Sequence, residues 1–185
     1  MNTGRLLLRA VIGGLFIGHG TQKLFGWFGG SGLEGTAKAM DSMQMHPPRR
    51  NALAAGVAEA AGGALLALGL ATPLTAAALT GTMITAIRKA HLKQGIWNAN
   101  GGYEYNLVLI TAVLAVVDGG PGEYSLDSAL GIGNTGPAWA AAALAAGAVA
   151  STAAIELGRR EAEAASQDKP VPAQDVRAEP QSSRS

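Results

Sequence analysis

The sequence predicts an all-α integral membrane protein, a four-helix bundle with a fifth transmembrane helix at the C-terminal end. Three observations carry that reading. Apolar residues make up 48% of 185 and mean hydropathy is positive, while charged residues are only 15%. The charges lie mostly outside long Ala/Leu/Gly/Val/Ile runs, whereas a soluble protein spreads them along its helix faces. Five such runs occur, at residues 6–25, 52–71, 74–87, 105–117 and 137–157.

A span needs about 20 largely apolar residues. The first run meets this length, and although Arg5 and Arg9 precede its apolar stretch, it lacks a small-x-small cleavage site and is read as a retained helix rather than a signal peptide. Its Gly14-x-x-x-Gly18 pattern, with Gly56 and Gly62-Gly63 in the second run, predicts smooth surfaces on which helix backbones approach closely. A loop at 26–50, rich in Gly and Met, joins these two. Thr72-Pro73 then makes a short turn that forces runs two and three to be antiparallel neighbours. The third and fourth runs reach membrane length only if extended through Arg88 to His91 and from Gly102 to Asp118. The fifth, PAWAAAALAAGAVASTAAIEL, is long enough but the least hydrophobic. Residues 159–185 combine charge, Ser, Gln and Pro with few bulky apolar side chains and are expected to form a disordered tail. The domain reading is therefore a bundle over 1–132, an additional apolar helix over 133–158 and a polar tail over 159–185.

Lys23, Lys38, Arg49, Arg50, Arg88, Lys89, Lys93, Arg159 and Arg160 flank one side of this topology against Arg5 and Arg9 on the other, which puts the first loop, the third loop and the tail in the cytoplasm. The absence of cysteine excludes disulfides, thiolate metal sites, covalent haem attachment and thiol redox chemistry within this chain. Nucleic acid is not expected as a partner.

Polar residues inside the runs converge at the first-loop end. His19 precedes Phe25 by six residues, about 9 Å deep, and Glu59 follows Arg50 by nine, about 13 Å deep. His19 and Lys23 share a helix face. Glu59 is the only acid in the second run and should be protonated or paired, with His19, Lys23 or Lys89 as candidate partners. Lys89, His91 and Glu104 fall near the same end. Two readings compete: an interhelical polar clasp that serves the fold, or a polar pocket for a small molecule or quinone head group. A bis-histidine haem is disfavoured by the different depths of His19 and His91, and three scattered histidines do not make a metal site. Arg9, near the opposite end, is read as an anchor snorkelling to headgroups, with contact to an anionic group as its alternative. Trp27, Phe28, Trp97, Tyr103 and Tyr105 form the expected interfacial aromatic belt.

RLLLRAVIGGLFIGHGTQKLFGWFGGSGLEGT at 5–36, Glu59 with Gly62-Gly63, the Thr72-Pro73 turn, GGYEYNLVL at 101–109 and GPGEYSLD at 120–127 together resemble the DoxX family of small bacterial integral membrane proteins, over roughly residues 4–132. The resemblance implies a four-helix bundle in the bacterial plasma membrane, with the family's polar positions falling on Arg9, His19, Lys23, Glu59, Lys89, Glu104 and Tyr105. It implies association with membrane redox systems, and hence a subunit that binds a quinone or small sulfur compound, with no intrinsic cofactor. The alternative is a non-catalytic anchor that recruits soluble redox or stress-response enzymes. Expected partners are the lipid bilayer, such enzymes and a second copy of the chain. Whether the chain is an enzyme is left open; if it is, an oxidoreductase subunit is expected. Transport of a small solute ranks third, since no inverted repeat is evident.

Overall fold

In the computed structural model, which describes residues 3–167, seven α-helices follow one another: α1 (Thr3–Phe25), α2 (Gly32–Ser42), α3 (Pro48–Leu68), α4 (Thr72–Ala86), α5 (Glu104–Gly119), α6 (Leu126–Ala129) and α7 (Pro137–Gln167). No strand occurs among the described residues. The all-helical expectation holds. By length and composition, however, only α3 and α7 among the described residues are on their own long and apolar enough to cross a membrane. The 15 residues of α4 rise about 22 Å, short of the roughly 30 Å hydrocarbon core. A π turn over Ile87–His91 continues α4 to His91, along the extension the sequence required.

Helix α1 packs most extensively on α3, and α7 on α4, while α5 touches α4, α7 and α1. The core between them holds Phe16 of α1, Leu66 of α3, Leu79 of α4, and Leu109, Val113 and Val117 of α5, all essentially buried. The outer faces remain apolar: Leu7, Val11, Val57, Leu74, Val108 and Val149 are all exposed.

Close approach of α1 and α3 rests on the expected Gly56 and Gly63 of α3, but on α1 it does not rest on the expected Gly14 and Gly18. A Cβ on Gly63 would lie 2.6 Å from the Gly13 carbonyl oxygen, so the two backbones touch, whereas nothing lies within 4 Å of a Cβ on Gly14 or Gly18. Gly13 and Gly20 face α3; Gly14 faces outward. The 26–50 connection also differs from expectation, because GLEGTAKAMDS within it forms α2, which packs on α1 and α3.

The far end of the bundle is built around Asp127, which is 2% exposed. Its carboxylate accepts from the backbone N–H of Ala71 at 2.7 Å and of Thr72 at 2.9 Å, and from the Thr72 hydroxyl at 2.6 Å. It thereby caps α4 from 55 residues away, satisfying N–H groups that a helix start leaves free. Arg9 lies beside it, 1% exposed, donating to the carbonyl oxygens of Pro121 and Tyr124. The snorkelling anchor expected at Arg9 is thus an internal clamp on the GPGEYSLD segment.

Helix α7 continues through Gln167, nine residues into the stretch expected to be disordered. Arg159 and Arg160 pair with Glu156 at 2.8 Å each, and Arg159 also pairs with Glu163. These i,i+3 and i,i+4 pairs, with the helix-favouring REAEAA sequence, sustain the helix past the apolar run. The remainder of the expected tail, 168–185, lies outside the described residues.

Candidate functional site

Helix α1 ends in HGTQKLF because two needs meet there: the apolar face must pack on α3, and one polar face must turn inward. His19 and Lys23, one turn apart, share that inward face. Facing them, Glu59 on α3 is 3% exposed, and its Oε2 is 2.5 Å from Lys23 Nζ, whose side chain is 30% exposed. The carboxylate that the sequence required to be paired or protonated is paired, and of its three candidate partners the structure selects Lys23. Burial of an ion pair contributes little net stability compared with an apolar pair of equal volume.

His19 is held by two contacts. Gln22 Oε1 accepts from Nδ1 at 3.2 Å, which in the neutral ring leaves Nε2 to accept from the Tyr105 hydroxyl at 3.4 Å. The two rings meet edge-on with centroids 5.8 Å apart. Tyr105, expected in the interfacial belt, therefore points into the bundle instead. Trp27, Phe28 and Trp97 are exposed as expected, and Trp27 lies between Phe25 and Phe28 with ring centroids at 5.3 and 6.3 Å.

These residues border a cavity of about 700 Å³ at the α2 end of the bundle. His19, Lys23, Glu59, Lys89 and Tyr105 all line it. The π turn places Lys89, Ala90 and His91 on its wall together, at the point where α4 meets the third loop. Such turns recur where a helix must redirect side chains at a site. Lys89 has no ion-pair partner among the described residues. His91 Nδ1–H donates to the Gly101 carbonyl at 2.7 Å, tying the π turn to the GGYEYN segment.

Glu104 and Arg9 do not join the cavity. Glu104 Oε2 accepts from the Asn98 backbone N–H at 2.9 Å and so fastens the third loop. Arg9 is at the far end, in the Asp127 clamp.

Several lining residues carried no individual signal in the sequence reading. Asn106 is buried on α5, and its amide donates only to the thioether of Met83, at 3.4 Å, a weak acceptor. Met40, Met43 and Met45 come from α2 and the turn after it, and with Met83 they bring four of the chain's five methionines to this cavity. Ser151 comes from α7. An asparagine inside NLVLITAVLAVV was the one readable sign, since a buried amide in an apolar run needs partners.

Among the charged groups on the wall, Lys23 and Lys89 stand against a single carboxylate, which is already paired, and the Asn106 amide keeps a second N–H to donate, while the Tyr105 proton is held by His19. The cavity thus suits a molecule that presents hydrogen-bond acceptors or negative charge. The family model described as DoxX matches residues 4–92, which takes in α1 to the π turn and leaves the GGYEYN and GPGEYSLD segments beyond it. No curated protein and no solved structure matches the chain.

Proposed function

Through residues 4–92 the chain belongs to the DoxX family, which is membrane-associated, and from that premise we propose that it is a multi-pass protein of the bacterial plasma membrane serving a redox system there. In this reading the chain binds the head group of a quinone, or a small sulfur compound, in the cavity at the α2 end. The membrane setting is supported by the exposed apolar outer faces, which would be costly to hydrate and fit lipid. The observation that carries the binding reading is the Lys23–Glu59 pair on the wall of a large cavity. A pair kept only to hold helices together could be replaced by apolar residues at little cost; one edging a cavity can meet a ligand.

A bound quinone supplies two-electron, two-proton chemistry, and the chain's own residues would manage position and protons. Lys89 and Asn106 would donate to the acceptor oxygens, Tyr105 would hold His19 in place, and Glu59 would carry protons to and from the cavity while Lys23 holds its charge. Having no cysteine, the chain offers no thiol for electron transfer, so electrons would come from a partner enzyme. That partner would dock at the α2 end, on the side bearing Lys38, Arg49 and Lys93.

The test is native mass spectrometry of protein purified in mild detergent, wild type beside Glu59→Gln. Co-purified quinone or sulfur compound in the wild type, lost in a variant that still melts cooperatively, is the expected result. No ligand in either, with only the melting temperature changed, would sink the binding reading and leave the alternative of an anchor that recruits soluble redox or stress-response enzymes.

A further inference from the structure

Helix α7 lies wholly outside the family-matched residues, yet Ala150, Ser151 and Ala154 line the cavity. It is fixed there along its length. A Cβ on Gly147 would lie 2.9 Å from the Ala77 carbonyl oxygen and 3.0 Å from the Gly81 nitrogen, so α7 and α4 meet backbone to backbone. One turn on, the Thr85 hydroxyl, 2.8 Å from the Gly81 carbonyl, also donates to the buried Ser151 hydroxyl at 2.9 Å, a three-centre arrangement that ties the two helices together. Further along, the His46 N–H donates to the Gly158 carbonyl at 3.3 Å, a Cβ on Gly158 would lie 3.1 Å from Met45 Cα, and Arg50 pairs with Glu161 at 3.0 Å. The C-terminal half of α7 is thereby strapped to the turn that carries Met43 and Met45 into the cavity.

The cavity therefore has two kinds of lining. Lys23, Glu59, Lys89 and Tyr105 supply charge and hydrogen bonds, while small α7 residues and adaptable methionine side chains supply apolar surface. Size decides which ligand suits it. A five-atom sulfur anion, at roughly 30 Å³ for each water-sized group, fills only about a fifth of the space. About 700 Å³ is the range for a ligand of some tens of atoms.

We propose that α7 is the specificity wall of this cavity, and that the ligand is an amphiphile whose acceptor head meets Lys89 and Asn106 and whose apolar tail lies against Ala150 and Ala154. This rests on the binding reading given above and decides between its two ligand classes in favour of a tailed quinone. Ser151 is a positioning residue, holding α7 at the depth where the two alanines leave room.

The experiment uses the full-length protein in detergent and two probes: a benzoquinone with a ten-carbon, diazirine-bearing tail, and the same ring without a tail. Affinities come from quenching of tryptophan fluorescence, labelled sites from peptide fragmentation, and folding from thermal melts. In the wild type, labelling that excess unlabelled tailed quinone suppresses should map to residues 147–158. Ala154→Leu should weaken the tailed probe by about tenfold while changing the tail-less ring by less than about twofold, since overpacking acts only where the tail sits. Should Ala154→Leu melt non-cooperatively, Ala154→Val gives the same contrast at about threefold. Label on α1 or α3 instead, or equal weakening of both probes, overturns the wall while leaving quinone binding intact. Wild-type protein that binds thiosulfate but neither quinone overturns the tailed ligand and keeps the sulfur reading. Binding of none of the three overturns both.

Discussion

Lys23→Met leaves the Glu59 carboxylate buried without a cation, and its cost should exceed that of removing both charges. Because Lys23 is partly exposed, about 2 kcal/mol is expected for the single change, and Lys23→Met with Glu59→Leu should recover most of it in thermal or denaturant melts. Equal losses in single and double variants would show that the pair is not coupled. Asp127→Ala strands three donors at the start of α4, the two on Thr72 buried, and should cost about 2–4 kcal/mol, against a much smaller loss for Glu123→Ala on the exposed side of the same segment. At this scale the sequence marked His19, Lys23 and Glu59 because a polar side chain inside an apolar run stands out against its surroundings, whereas Tyr105 read as part of the interfacial belt and joined the site only through the resemblance. Arg9 stood out equally and was misread, since its depth on one helix says nothing about the carbonyl groups that a segment more than a hundred residues away brings to it. The methionines gave no warning, being as much at home in a core as at a site.

Helix α1 shows what periodicity alone leaves open. Two glycine faces were available, and the G-x-x-x-G pair at Gly14 and Gly18 drew attention by its spacing, yet contact with α3 falls on Gly13 and Gly20. A helix rotated by one residue, or 100°, exchanges the two; what fixes the rotation is Phe16 and Ile12 entering the core. Gly63→Ala is therefore expected to destabilise by more than about 2 kcal/mol, with Gly14→Ala neutral or slightly stabilising because alanine favours helix where space is free. Melts of the two variants that came out alike would place the interface elsewhere. Helix α2 was hidden for another reason: at 11 residues, preceded by glycines and nearly balanced in polarity, it gains its stability from packing on α1 and α3 rather than from propensity.

Across the molecule, the sequence carried the helical architecture and the end at which the polar groups gather, because both follow from where charges interrupt apolar runs. It could not show that α7 closes the cavity, since the Gly81–Gly147 approach and the Ser151–Thr85 pair depend on tertiary placement. The same alternation of helices puts α2 and the end of α7 on one side and the Pro121–Thr135 segment on the other. The chain has no cysteine, so single replacements report without background: Ser42→Cys and Ser166→Cys should react with an impermeant maleimide from one face of sealed vesicles, and Thr135→Cys only from the other. Reaction of all three from one face would refute the multi-pass reading. The distant cap on α4 has a consequence in time. A ribosome that has delivered residues 1–119 has made α1 to α5 with the first N–H groups of α4 still waiting for Asp127, and the cavity still missing its last wall. At that stage of synthesis α4 has neither its cap nor its α7 neighbour, and the bundle stands open along that helix.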